Sequence, residues 1–293
     1  MPETITFTSA DRHRFDALIY PTPDAAAPVL LFFSALGTPA KVYRHFGHEL
    51  NRHGVQLCAP DWRGIGSSSV RATRESDLGY RHLVELDMAA AIAGVRQRFP
   101  QAQIWLGGHS LGGQLSLLAA AADASQLAGL VLIASGTVHT PHYPVKMRLA
   151  IRSLVWMSRL AGAALGYFPG QRVRFGGREA AGLMRDWSHV AVTGEFRPVG
   201  STLDYEHLMA RLKLPVLALT FAADGWTPQA ATQALLHKLP ENSFVHRHWS
   251  AADSAGVALD HYSWLKQPAL VAPAVAAFIR QSGAGHGATG QRA

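Results

Sequence analysis

Short apolar runs alternate along the chain with longer segments whose apolar positions recur every three or four residues. This alternation predicts a mostly parallel β-sheet covered by helices. Residues 4–8 and 13–20 form an opening hairpin around Ser9, Ala10, Asp11 and Arg12, and residues 28–33 (PVLLFF) a buried strand. A helix over 43–53 and a strand over 55–59 follow. Leu83, Met88, Ile92, Val95 and Phe99 recur at helical spacing, and Pro100 stops that helix. Residues 104–106 are a strand, 111–122 a helix and 130–134 (LVLIA) a sixth strand.

The alternation then breaks. From Gly136 to about Lys213 the chain holds helical patches among Pro, Gly, Trp and Arg but no buried strand run, so it reads as an insertion. The pattern resumes with a strand at 215–221 (PVLALTF), a helix near 228–239, a strand near 244–249 and a last helix around 264–279. The expected organisation is therefore a first core segment over 1–135, an insertion over 136–213 and a second core segment over 214–280. The small polar residues of 281–293 are expected to be a disordered tail.

Composition narrows the class. Of 293 residues, 48% are apolar, which excludes a mainly disordered protein. The single cysteine, Cys58, excludes a disulfide framework and any Cys-rich zinc module, and fits a reducing compartment. The N-terminus lacks the basic-then-apolar order of a signal peptide and no run is long enough to span a bilayer, so the expectation is a cytoplasmic protein with no transmembrane segment. Net charge is +7, yet no Lys/Arg-rich run suggests nucleic acid. Residues 136–214 carry eleven basic against five acidic side chains, so nearly all of the excess lies in the insertion. Such a segment is either a solvated helical surface or a field that attracts an anionic substrate, partner or membrane surface.

Chemistry concentrates at Gly108-His109-Ser110-Leu111-Gly112, a G-x-S-x-G between a predicted strand and a predicted helix. The sharp turn strains the serine backbone and needs tiny residues two before and two after it, which Gly108 and Gly112 supply. It places the Ser110 hydroxyl at the sheet's C-terminal edge and at the positive end of a helix. A serine needs a base and an orienting acid, which in this arrangement follow in the order acid, then histidine. Asp224, directly after the strand at 215–221, is the candidate acid, with Asp253 and Asp260 as rivals. Among 15 histidines, His261 lies in the loop after the final strand and is the candidate base. Leu111 supplies one oxyanion N–H and the loop Ser34-Ala35-Leu36-Gly37 the other, expected at Leu36, with Ala35 as the register alternative. The G-x-G at residues 64–66 lacks the third glycine and acidic partner of a dinucleotide site, and no H-E-x-x-H, P-loop or carboxylate cluster supports a metal or phosphate cofactor, so none is expected.

These motifs resemble the α/β-hydrolase superfamily over nearly the whole chain. The resemblance rests on the D-x-R-G-x-G-x-S at 61–68, GHSLGG at 108–113, D-x-x-x-P at 224–228 and His261. More narrowly, GTPA at 37–40, GHSLGGQL at 108–115, REAAGLMRDW at 178–187, Asp204-Tyr205-Glu206, and His261 with Trp264 resemble a bacterial group of α/β-hydrolases with no assigned substrate. The resemblance implies a Ser110, Asp224, His261 triad. It also implies the α/β-hydrolase fold, a mostly parallel central sheet flanked by helices, with a mainly helical cap inserted after the sixth strand. Serine rather than aspartate as nucleophile argues against dehalogenase and epoxide hydrolase chemistry. The expected activity is hydrolysis of a small-molecule carboxylic ester or thioester, its acyl pocket roofed by Trp156, Met157, Tyr167, Phe168, Met184 and Trp187. A receptor-like protein with little turnover and an acyltransferase or lyase are the other readings that this fold allows.

Overall fold

The computed structural model describes residues 2–76 and 78–287. Strands β1 (Glu3–Thr8) and β2 (Arg14–Tyr20) form the expected antiparallel hairpin. Strands β3 (Val29–Phe33), β4 (Gln56–Pro60), β5 (Ile104–His109) and β6 (Gly129–Ile133) are buried along their whole length, as strands covered on both faces must be. Helix α1 (Arg44–Arg52) connects β3 to β4. Helix α2 (Ala89–Arg98), preceded by a wider π-type turn at His82–Met88, connects β4 to β5, and α3 (Leu111–Ala122) connects β5 to β6.

After β6 come α4 (Val145–Leu165), a hairpin of β7 (Tyr167–Pro169) and β8 (Arg178–Ala180), α5 (Ala181–Thr193) and the short α6 (Tyr205–Met209). The core resumes with β9 (Val216–Phe221), α7 (Gln229–Leu236), β10 (Phe244–Trp249) and α8 (Pro268–Gly287). The eight-stranded sheet has the order β1-β2-β4-β3-β5-β6-β9-β10. Only the β1–β2 and β2–β4 pairs are antiparallel; all others are parallel. The six parallel strands therefore end at one edge, where the loops after β3, β5, β9 and β10 gather.

Alternation along the strands divides the core. In β3, Leu31 and Phe33 pack with Val95 of α2 and Leu115 of α3, while Leu30 and Phe32 pack with Phe46 and Leu50 of α1 and Val271 and Val275 of α8. Each such side chain contributes about 2 kcal/mol by leaving water.

The segment expected to hold no buried strand run carries only the short β7–β8 hairpin, three partly buried residues per strand. One expectation is corrected. The chain end expected to be a tail from residue 281 instead continues α8 through Gly287, with Pro268 at the helix's first position, where its missing N–H costs nothing. Residues 288–293 lie outside the described residues. No helix among the described residues is long and apolar enough to cross a membrane.

Candidate active site

Ser110 stands between the last residue of β5 and the first of α3, with φ 55° and ψ −118°, a conformation that non-glycine residues rarely hold. The turn is locked on both sides. Ser110 N–H donates to Ile133 O at 3.0 Å, and Ser110 O accepts from Gly113 and Gln114 N–H at 3.1 and 3.2 Å. A Cβ on Gly112 would lie 2.1 Å from Phe33 O and one on Gly108 2.3 Å from Gly112 C, so the two small residues are dictated by close approach. Leu111 opens α3, and its N–H has no acceptor within the helix.

Asp224 follows β9 and is buried, as is His261 in the loop after β10. Asp224 Oδ1 accepts the Trp226 and Thr227 N–H groups at 2.8 and 2.9 Å, which aims Oδ2 at His261 Nδ1, 2.8 Å away. A carboxylate oxygen can only accept, so the proton sits on Nδ1 and leaves Nε2 as the basic nitrogen. Ser110 and His261 line one cavity. No hydrogen bond joins Ser110 Oγ to His261 among the described residues; such contacts commonly tighten only when substrate is bound. The rival acids lie elsewhere. Asp253 is tied to Ser250 and Asp260 to Tyr262 and Ser263 in their own turns.

In the loop after β3, Ala35 and Leu36 have different surroundings. Ala35 N–H is held by the Tyr43 hydroxyl at 2.9 Å, whereas Leu36 lines the cavity. That loop also carries the segment between β7 and β8. A Cβ on Gly37, whose φ is +69°, would fall 2.2 Å from Gly177 N, so the two backbones touch with no side chain between them. Beneath the contact, buried Glu179 accepts Gly177 N–H at 2.6 Å; its burial without a counter-charge pushes the carboxyl up to about 7.

The cavity wall is largely apolar, with Val138, Met147, Ile151, Phe175 and Trp187 among its members. Arg174, Trp226 and Tyr262 are its exposed members and mark its opening. Of the six side chains expected to roof it, only Trp187 lines it. Phe168 and Met184 are buried in the adjoining core, and Tyr167 stacks under Arg178, whose guanidinium lies 3.8 Å from the ring centre. Trp156 and Met157 point outward, 67% and 38% exposed. On α4, Trp156 falls on the side opposite Met147 and Ile151 and Met157 on the flank, a rotational phase that composition does not carry.

Two arrangements carry no signal in local sequence. The first is a relay beneath the site: Ala35 N–H to Tyr43 Oη, and Tyr43 Oη to His109 Nδ1 at 2.9 Å. The His109 ring lies 4.7 Å from that of His261. Complete burial, reinforced by the neighbouring His261, drives the affinity of His109 for a proton well below the usual histidine range, so a neutral ring underlies the site. The second is a Ser-His-Asp chain none of whose members lines the cavity. Ser68 Oγ is 2.8 Å from His13 Nε2, and His13 Nδ1 is 3.0 Å from Asp87 Oδ1. No group of three His, Cys, Asp or Glu residues able to hold a metal occurs among the described residues.

Residues 28–160 match a family profile described as alpha/beta hydrolase fold. The chain is similar to a monoglyceride lipase of Rattus norvegicus, 24% identical over 238 residues that span 80% of this chain and 77% of that protein. Among solved structures it is similar to the esterase domain of a Rhodothermus marinus protein (TM-score 0.62, 15% identity, 96% of this chain and 98% of that one). It is likewise similar to Est1E of Butyrivibrio proteoclasticus, solved with ferulic acid bound (TM-score 0.65, 16% identity, 96% and 99%). At these identities the structural likeness speaks for the fold alone.

Proposed function

Because the chain has the α/β-hydrolase fold, we propose that it is a serine hydrolase that cleaves a small-molecule carboxylic ester or thioester through an acyl-enzyme on Ser110. The observation that carries this reading is the Asp224–His261 pair meeting the strained Ser110 at one apolar cavity. His261 Nε2 takes the Ser110 proton as Oγ attacks the acyl carbon, and Asp224 holds the imidazolium that forms. The Leu111 and Leu36 N–H groups take the oxyanion. Leu36 is favoured over Ala35 because the Ala35 N–H already serves Tyr43. His261 then protonates the leaving group, and water, activated by the same nitrogen, releases the acid. No cofactor or metal enters this scheme.

Residues 136–213 are read as a cap, because Val138, Met147, Ile151 and Trp187 from this segment complete the acyl cavity. Arg174 at the opening has no acidic partner among the described residues, which supports a substrate carrying an anionic group. Relatives described as a lipase and esterases support ester cleavage in general.

The test is labelling by a fluorophosphonate together with turnover of a panel of p-nitrophenyl esters and acyl thioesters. Wild type is expected to label and turn over, and Ser110→Ala to do neither. Unchanged turnover in that variant removes Ser110 from the chemistry. Tight binding of esters with negligible product release would instead make the chain a ligand-binding member of the fold. Arg174→Gln is expected to lower kcat/KM for a carboxylate-bearing ester while sparing its neutral isostere.

A further inference from the structure

Helix α4 has two working faces. Its inner side buries Ile151, Leu154, Val155 and Ser158, and contributes Met147 and Ile151 to the cavity wall. On its outer side Val145, Leu149, Trp156 and Leu160 are 67%, 58%, 67% and 60% exposed. At one residue per 100° these four lie within about 60° of one another, a single apolar stripe along the helix. Scattered exposed apolar residues need no explanation, but a continuous stripe containing a tryptophan does.

The charges beside the stripe have one sign. Arg152 and Arg159 flank one edge and Lys146 the other. All three are exposed and none has an acidic partner among the described residues. No Asp or Glu occurs anywhere between Asp123 and Glu179, while that stretch holds seven Lys or Arg residues. An apolar helix face edged by long cationic side chains fits an interface whose interior is hydrocarbon and whose rim is negative. It does not fit a second copy of itself, since pairing the stripe with an identical stripe brings cation against cation.

We propose that the outer face of α4 docks on an anionic lipid surface, with Trp156, Leu149 and Leu160 entering the headgroup boundary and Arg152, Arg159 and Lys146 pairing with lipid phosphates. The helix then stands between the lipid and the cavity, so an acyl chain leaving the bilayer has about one helix diameter, some 10 Å, to travel to reach Met147 and Ile151. The docking is a property of the surface and does not rest on the chemistry assigned to Ser110.

The experiment is co-sedimentation of the full chain with phosphatidylcholine vesicles, alone or with about 30% phosphatidylglycerol, in low and high salt. Both wild type and Ser110→Ala are expected to bind the anionic vesicles at least about 10-fold more tightly than the neutral ones, and high salt should erase most of that difference. Leu149→Ser/Trp156→Ser should lose binding to both vesicle types by roughly 10-fold or more. Arg152→Gln/Arg159→Gln should lose only the preference for the anionic ones. Both double variants keep turnover of a short water-soluble ester, since none of their positions lines the cavity, and circular dichroism checks that they fold. Equal binding to the two vesicle types, no binding by wild type, or a wild-type dimer in light scattering that Trp156→Ser dissociates would each overturn the proposal. Failure of ester turnover with vesicle binding intact would count against the proposed activity and leave the docking standing.

Discussion

Among the described residues two groups bring a serine, a histidine and an aspartate together, and judged by hydrogen bonds alone the one at Ser68 is better connected than the one proposed for catalysis at Ser110. At Ser68 both links are closed, 2.8 Å from Oγ to His13 Nε2 and 3.0 Å from Nδ1 to Asp87. At Ser110 only the Asp224–His261 link, 2.8 Å, is closed. The difference lies in what surrounds each serine. Ser68 is buried. Its hydroxyl also accepts the Gly64 and Val70 N–H groups at 2.9 and 3.3 Å, and its one proton is shared between His13 Nε2 and Val70 O, 3.0 Å away, so no lone pair is left to attack anything. Asp87 is saturated by Arg63, at 2.8 and 2.6 Å, as well as by Ser9 and His13, and Arg63 in turn grips Asp11 with two bonds. Ser110 has a cavity before it, a helix N-terminus behind it and a strained backbone holding it there. Connectivity alone thus does not make a nucleophile; access and a place for the oxyanion do.

Removing each hydroxyl in turn separates the two sites. Ser110→Ala is expected to lower kcat/KM for a p-nitrophenyl ester by about 10⁴-fold or more, with thermal stability near wild type. Ser68→Ala is expected to leave kcat/KM within about 3-fold while lowering stability by about 1–3 kcal/mol, because His13 Nε2 and two backbone N–H groups lose their partner. A large kinetic loss in Ser68→Ala, measured per folded molecule, would reverse the assignment of the two sites.

The two aspartates extend the contrast. Asp224→Asn is expected to cut kcat by roughly 10⁴-fold, since the amide can hold the imidazole in the wrong tautomer, and to leave the denaturant midpoint almost unmoved. Asp87→Asn leaves the buried Arg63 guanidinium with only Asp11 and should cost about 3–5 kcal/mol in urea unfolding, with normal activity in the molecules that remain folded. Acid sharpens the point. Burial opposes ionisation of Asp87, but Arg63 and His13 overcome it and hold the carboxyl below 3.8. Its contribution is therefore present above that pH and lost as pH falls further. Wild type should weaken steeply on acidification, and Asp87→Asn should have a flatter acid limb.

How much of this was legible in the sequence depended on how local each feature is. The helix Leu111–Ala122 is legible residue for residue, as is the tight turn before it, because the glycines, the serine and the flanking apolar runs are contiguous. Asp224 and His261 are proposed from the order in which acid and base follow such a turn, and each lies in a loop after a parallel strand. The Ser68 chain was hidden because His13 is 55 residues from Ser68 and 74 from Asp87, although the D-x-R-G-x-G-x-S stretch that contains Ser68 and Arg63 was itself conspicuous. The outward direction of Trp156 is not legible for a different reason. An aromatic residue in a helix has a phase as well as a position, and only the packing of the opposite face fixes it.

Glu179 supplies an opposite slope. Its folded value near 7 lies above the ordinary 4.5, so its contribution is complete below pH 4.5 and is lost as pH rises through 7. The span amounts to about 3 kcal/mol by the usual conversion. Glu179→Gln keeps an acceptor for Gly177 N–H and removes the charge. It should match wild type at pH 5 and exceed its stability at pH 8 by up to about 3 kcal/mol in denaturant titrations. Equal pH slopes for the two proteins would show that this carboxyl does not carry the alkaline loss.

Least is expected at Tyr43, where the two kinds of site meet: a buried, fully bonded group that nonetheless touches the loop proposed to hold the oxyanion. Tyr43→Phe removes one oxygen, and with it the acceptor of Ala35 N–H and the donor to His109 Nδ1. The stability cost should be about 1–3 kcal/mol, as for other buried polar groups left unpaired. The kinetic consequence separates anchoring from binding. With Ala35 N–H released, the loop holding Leu36 can settle one register away, so kcat should fall by roughly 3- to 10-fold while KM for a short ester stays put, because no cavity side chain has changed. If KM rises instead with kcat unchanged, Tyr43 supports the cavity wall rather than the oxyanion N–H, and Ala35 returns as the equal of Leu36.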